Sequence, residues 1–368
     1  MLSRLIPIFA FALTACTAQA EDGVDAVPVA TGLEHPWSLA FLPEGGMLVT
    51  ERAGRLRLVD PEGELADTPV ANVPEVFAGD QAGLFDVVLH PDFADNRLVY
   101  LGHAAGSRGA NATAITRARL SADNTTLEDV ERIFTVDPLK SGRHHFGGRM
   151  AFTPDGFLLL TVGEGFSRRD EAQDPASQLG SVLRLDDEGN PAPGNPFAET
   201  GDAAIWTIGH RNPQGLTVHP ETGEIWLNEH GPAGGDEVNR LSPGGNYGWP
   251  ERSNGNRYSG GQIPDHEDGD GFTGPDWFWT PSIAPSGMAF HSGQTFPDWA
   301  GDLFVGGLAS QDLRRLDLED GRLVGETVLL EDLGARIRDV REGPDGYLYI
   351  LTDEAEGGLY RLEPEAAN

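Results

Sequence analysis

The chain has 368 residues and carries 58 acidic against 26 basic side chains, a net charge of −32. That charge repels nucleic-acid backbones and anionic lipid surfaces, so no nucleic acid is expected as a partner. A composition of 39% apolar and 23% charged residues, with 48 glycines and 26 prolines spread throughout, describes a globular chain of many short strands and tight turns.

Residues 1–20, MLSRLIPIFAFALTACTAQA, read as an export signal. Arg4 supplies the positive start, residues 5–13 a short apolar run, and Ala18-Gln19-Ala20 a cleavage site. The run is too short to span a membrane stably. Leu13-Thr14-Ala15-Cys16 also fits a lipobox, which would leave a lipidated Cys16 as a membrane anchor. The expected location is therefore the periplasm, either free or lipid-anchored. Cys16 is the single cysteine, so the fold has no disulfide and no cysteine-based metal site. Asn111 and Asn124 stand in weak glycosylation triplets.

From residue 24 onward one theme recurs: a Pro-Asp-Gly-like turn, an apolar strand, a loop, and a strand ending near Leu-Arg-Leu. Copies begin at LPEGG (42), HPDF (90), TPDG (153), HPETG (219), FPDW (296) and GPDG (343). The turns reverse the chain, and the alternating strands are half-buried. Small sheets of this kind bury both faces by packing radially. Six copies predict an all-β fold, one six-bladed β-propeller over residues 21–368. Residues 24–40 should close the ring with the C-terminal blade. Insertions should fall in loops around 164–180, 190–205 and 250–280. The acidic stretch Asp265, Asp268, Asp270 misses calcium-loop spacing and reads as a solvated loop.

Polar residues cluster where each copy begins or leaves a blade strand. In chain order these are Gln81, the pair His144-His145 in GRHHFGGRM with Arg149, and His210, Arg211, Asn212 and Gln214. They continue with Glu229, His230, Gly231, Pro232, Asp236 and Glu237, and with Arg336 and Arg338. In a propeller such positions converge on the axis. A neutral imidazole serves as a base near neutral pH. Arginines bind carboxylates in pairs of hydrogen bonds. Asp236 and Glu237 in a Gly-Pro turn suit a hard cation such as Ca²⁺. Singly, each feature reads as structural: a hydrogen-bonded histidine, a surface arginine pair, a turn. Their recurrence at equivalent points lifts the set to a polar axial pocket, with enzymatic and metal-binding readings both open.

The motifs DQAGLFDVVLHPDF, HHFGGRM, GHRNPQGL, EHGPAGGDEVNRL, GGNYGWP, PSIAPSGMAF and RIRDV span nearly the whole chain after residue 20. Together they resemble the soluble quinoprotein glucose dehydrogenases and aldose sugar dehydrogenases, which use pyrroloquinoline quinone (PQQ) and calcium. The resemblance implies oxidation of an aldose C1 hydroxyl to the lactone, with electrons passed to a quinone or cytochrome. It implies His145 as the general base, Gln81 as a substrate contact beside it, and Arg211 and Asn212 beside the quinone carbonyl. Arg336 and Arg338 would hold PQQ carboxylates, and His230 would border the cofactor. Gly231 and Pro232 would offer carbonyl oxygens to a catalytic Ca²⁺, with Asp236 near that ion or the substrate. Glu237 and Tyr247 would serve a second Ca²⁺. The glycines of GRHHFGGRM would let the backbone pass close to a flat cofactor. The chain departs from the glucose enzymes in three places: Ala309 stands for a cofactor-facing lysine, His230 for a glutamine, and His144 for an acidic residue. A calcium-dependent lactonase-like hydrolase and a non-catalytic sugar- or partner-binding propeller are the alternative functions. Monomer and homodimer are both compatible with the sequence.

Overall fold

The computed structural model describes residues 23–365. The expected signal, its cleavage site and Cys16 lie outside the described residues. Twenty-three strands form six sheets. Strand β1 (Val24–Leu33) comes first but belongs to the last sheet. Blade 1 is β2 (Pro36–Phe41), β3 (Met47–Glu51) and β4 (Arg55–Val59). Blade 2 is β5 (Leu84–Leu89), β6 (Leu98–Ser107), β7 (Ala110–Leu120) and β8 (Leu127–Thr135). Blade 3 is β9 (Gly147–Phe152), β10 (Leu158–Val162), β11 (Ser181–Leu185) and β12 (Ile205–Ile208). Blade 4 is β13 (Pro213–Val218), β14 (Ile225–Glu229), β15 (Asp236–Leu241) and β16 (Trp277–Trp279). Blade 5 is β17 (Pro285–Phe290), β18 (Leu303–Gly307), β19 (Leu313–Glu319) and β20 (Arg322–Leu329). Blade 6 is β21 (Ile337–Glu342), β22 (Leu348–Thr352) and β23 (Gly357–Pro364), completed by β1.

The first strand of each blade packs against the first strand of the next, and β21 meets β2 to shut the ring. This is the six-bladed propeller that the repeats predicted. Each sequence copy is the turn into a blade's second strand. Of the expected closing stretch 24–40, residues 24–33 close the ring, pairing antiparallel with β23 from Val24↔Pro364 to Leu33↔Gly357, while 36–40 belong to β2 and open blade 1. The long insertions leave blades 3 and 4 at the expected loops. Apolar side chains fill the spaces between blades; Tyr100 and Ile115 of blade 2, for example, pack with Met150, Leu160 and Leu183 of blade 3.

A regular irregularity decides the interior. Every innermost strand breaks register near its axial start: at Pro36/Ser38, Leu84/Val87, Gly147/Met150, Pro213/Gly215, Pro285/Met288 and Ile337/Asp339. A bulge frees residues from the ladder and re-aims their side chains. Beneath the bulges a buried ion network plugs the axis. Arg149 lies 2.9 Å from Asp339 and 3.7 Å from Asp86, and Arg341 bonds both carboxylates. Ser38 donates its hydroxyl to Asp86.

Asn111 is fully buried. Its amide donates to the carbonyls of Ser107 and Gly142 and its oxygen accepts from Lys140, so that glycosylation triplet is overturned. Of the acidic loop, Asp265 and Asp268 are exposed, while Asp270 pairs with Arg252 at 2.9 Å.

Candidate active site

A cavity of about 300 Å³ opens above the plug at the axis. The bulge residues Trp37, Phe85, Gln214 and Arg338 form its walls, with Gln81, His144, Gly147, Asn212, His230 and Arg336. Arg149 supports the floor: its guanidinium lies 4.1 Å from the Trp37 ring, and it donates to the carbonyls of Gln214 and Arg338. Gln81, Asn212, His230, Arg336 and Arg338 thus line one cavity.

His145 lies between His144 and Phe146, which both line this cavity, two residues before β9. It is buried and adopts a left-handed backbone conformation (φ 52°), which costs a non-glycine residue on the order of 1 kcal/mol. Gln81 holds it there by accepting the His145 backbone N–H at 2.7 Å. Gln81 thus positions His145 through the backbone. The His145 Nδ1 lies 2.9 Å from Glu164 Oε1, and its Nε2 has no protein partner among the described residues. Burial, then the nearby positive charges of Arg211, His144 and Lys140, push the imidazole well below its ordinary pKa, so it is neutral at neutral pH.

Glu164 is the site residue that motif reading missed. It sits two residues past β10, fully buried, with Oε2 unbonded. Burial raises its carboxyl to about 7, against the opposing pull of Arg211 and Lys140. Lys140 is itself buried, 3.3 Å from the Phe146 ring centre and 3.1 Å from Asn111 Oδ1, and burial lowers it to about 7. When Glu164 is ionised it accepts the Nδ1 proton, which leaves the Nε2 lone pair free to act as a base.

Arg211 directs Nη1 to the His230 carbonyl at 2.9 Å and packs beside Trp249 and Tyr258. It borders a wider cleft of about 580 Å³ between the 164–170 and 249–264 loops. His230 donates its Nε2–H to the Pro285 carbonyl, 2.8 Å away, and burial lowers it to about 4. His210, by contrast, is a structural residue, held between Thr207 and Glu229 and stacked on Tyr247.

Two expectations need correction. Asp236 does not face the cavity: it is fully buried, Oδ1 accepts from Gly231 N–H, and Oδ2 accepts from Ser282 and Ala284. Its oxygens are spent on shaping the Gly231–Pro232 turn, so it positions that turn instead of touching substrate. The glycines of GRHHFGGRM answer to packing. A Cβ at Gly147 would lie 2.5 Å from the Thr161 carbonyl oxygen, and one at Gly148 would lie 2.6 Å from the Phe85 ring. Gly231 and Pro232 follow His230 along the wall; Pro232 borders the wider cleft, and Gly231 shares a small void with Glu237, Glu229 and Tyr247.

The comparisons agree with this geometry. The description "Glucose / Sorbosone dehydrogenase" matches residues 33–361. The chain belongs to the glucose/sorbosone dehydrogenase family. It is 42% identical to aldose sugar dehydrogenase YliI of Escherichia coli, over 98% of each chain. The solved apo-form structure of the soluble aldose sugar dehydrogenase from Escherichia coli superposes with a TM-score of 0.89, covering 93% of this chain and all of the other. The PQQ-bound aldose sugar dehydrogenase of Streptomyces coelicolor is 31% identical with a TM-score of 0.78, covering 92% of this chain and 97% of the other. As a member of this family the protein is an oxidoreductase.

The axial cavity fits a flat polyanion. Arg52, Arg336 and Arg338 bring three positive charges to its wall, against Asp80 on the same wall and the buried Asp353 among the arginines. Arg338 Nε is buried without a partner. Among the described residues no group of three or more His, Cys, Asp or Glu side chains is placed to hold a metal. Glu237 is held well above its ordinary range by burial and by Glu229 and Asp236, an environment that a nearby cation would relieve.

Proposed function

We propose that the protein is a PQQ- and Ca²⁺-dependent aldose dehydrogenase that oxidises the C1 hydroxyl of a sugar to the lactone. The observation that carries this reading is His145: a neutral, buried imidazole fixed through Nδ1 by Glu164, with Nε2 free beside a cavity lined with arginine. The family match and the PQQ-bound relative support the cofactor. PQQ, when bound, supplies the hydride acceptor, and Ca²⁺ the Lewis acid that polarises it.

The chain's own groups do the rest. His145 Nε2 takes the proton of the C1 hydroxyl as the C1 hydride leaves, so the sugar loses two electrons and two hydrogens. Glu164 stabilises the resulting imidazolium, as a buried carboxylate does for a catalytic histidine. Gln81 keeps the base in place and presents its amide to the substrate. Arg211 and Asn212 favour negative charge developing on the acceptor oxygen. Arg336 and Arg338 bind cofactor carboxylates, and His230 forms the adjoining wall. The Gly231 and Pro232 carbonyl oxygens would hold the catalytic Ca²⁺, and Glu237 with the Tyr247 carbonyl a second, structural one. The protein is exported, free in the periplasm or anchored through Cys16; palmitate labelling that persists in Cys16→Ser would exclude the anchor.

Reconstitution tests the reading. Apoprotein mixed with an aldose panel and a redox dye should reduce the dye only when PQQ and Ca²⁺ are both added. Turnover of a lactone with Ca²⁺ alone would instead assign a hydrolase.

A further inference from the structure

By the resemblance to the glucose enzymes, Ala309 stands where a cofactor-facing lysine is expected, while Arg52 lines the axial cavity. We propose that Arg52 is the third cationic anchor of the cofactor, binding a carboxylate that the missing lysine would otherwise hold. This rests on the PQQ reading above.

Arg52 follows the last residue of β3, the second strand of blade 1. Leu308 occupies the same position after β18 in blade 5, next to Ala309. His230 does so after β14, and Asp353 after β22. Three of these positions, Arg52, His230 and Leu308, line the cavity. A cation lost from blade 5 is regained two blades further round, with Arg336 and Arg338 of blade 6 between. Ala309 is exposed and its N–H is bonded to the Ile283 carbonyl.

The hydrogen bonding of the three arginines separates their roles. Arg338 donates to Gln214 and Asp353, and Arg336 to the Leu308 carbonyl. The Arg52 guanidinium makes no hydrogen bond among the described residues; Asp353 is 3.6 Å away and already accepts from Arg338 at 2.7 Å and lies 2.9 Å from His35 Nδ1. Its side chain is 25% exposed, so the charge is desolvated in part and its donors are free. The stem is held against Gly83, where a Cβ would lie 2.7 Å from Arg52 Cγ and 2.0 Å from its carbonyl oxygen. A guanidinium with a fixed stem and unspent donors is preorganised for a carboxylate.

The test is PQQ binding to the full-length apoprotein in saturating Ca²⁺, measured by titration calorimetry, which needs no turnover. Arg52→Gln keeps most of the stem, and an unchanged apoprotein melting temperature certifies its fold. Its Kd should rise about 10- to 100-fold, the loss expected for one charge-assisted pair. Adding Ala309→Lys to that variant should recover most of the loss. An unchanged Kd in Arg52→Gln overturns the assignment of Arg52 and leaves the PQQ reading standing. Wild-type protein that takes up no PQQ overturns both.

Discussion

At the scale of single residues, activity depends on a proton shared in burial. In the proposed mechanism His145 acts as a base only while Glu164 is ionised, and burial has lifted Glu164 to about 7. The sign follows: below about 7 the carboxyl is protonated, donates to Nδ1, and places the remaining ring proton on Nε2, which disables the base. The rate of the chemical step should therefore climb as pH rises through about 7. Lys140 and Arg211 favour the ionised form, so Lys140→Met should move that limb to higher pH; a limb that stays in place would remove Lys140 from this role. Glu164→Gln should lower kcat by about 10²- to 10⁴-fold, the range for disabling a positioned acid–base pair, while PQQ affinity is retained. His145 was legible because two histidines adjoin a strand start in a recognisable motif. Glu164, in VGEGF, was not, because a lone acid between glycines looks like a solvated turn. The signal lay in its place two residues past a second strand, one residue beyond the position that Arg52, His230 and Asp353 hold in other blades.

At the scale of elements, repeat turns and apolar alternation made the blades readable. Even the closing strand was legible, because VDAVPVATGL precedes the first full copy and lacks a partner of its own. Here β1 buries Val24, Ala30 and Leu33 against blade 6. Removing residues up to 33 strips these side chains from the core and opens the ring, at a cost of about 4 kcal/mol from apolar burial alone. Denaturant titration should show that loss; a truncated chain of undiminished stability would mean that β1 is decorative. The six bulges were invisible in sequence. A bulge inserts no special letter, yet it places Trp37, Phe85, Gln214 and Arg338 on the cavity wall. Gln214 and Arg338 stood among the polar residues where the copies begin or leave a strand, whereas Trp37 and Phe85, apolar residues within strands, were not singled out. Asp236 was misjudged for a related reason: sequence marks a carboxylate near a turn, and only the fold reveals that backbone donors consume both oxygens.

For the whole molecule, the ring and the site share one foundation. Arg149 reaches from blade 3 to Asp86 of blade 2 and Asp339 of blade 6, and touches the carbonyl oxygens of Gln214 and Arg338. Its charge is fully buried, so Arg149→Met leaves Asp86 and Asp339 undercompensated and should cost about 3–5 kcal/mol, seen as a lower melting temperature. The same variant should weaken PQQ binding, since Trp37 loses its support. A propeller in which stability and cofactor affinity responded independently to Arg149 would contradict this coupling.

The central claim is that His145 removes the sugar's hydroxyl proton as hydride leaves C1. Single-turnover mixing of the PQQ- and Ca²⁺-loaded protein with C1-protio and C1-deuterio aldose, in wild type and His145→Ala, tests it most directly. The account predicts slower cofactor reduction with the deuterated sugar in wild type, and loss of reduction in His145→Ala with PQQ still bound. Reduction in His145→Ala at the wild-type rate would contradict it.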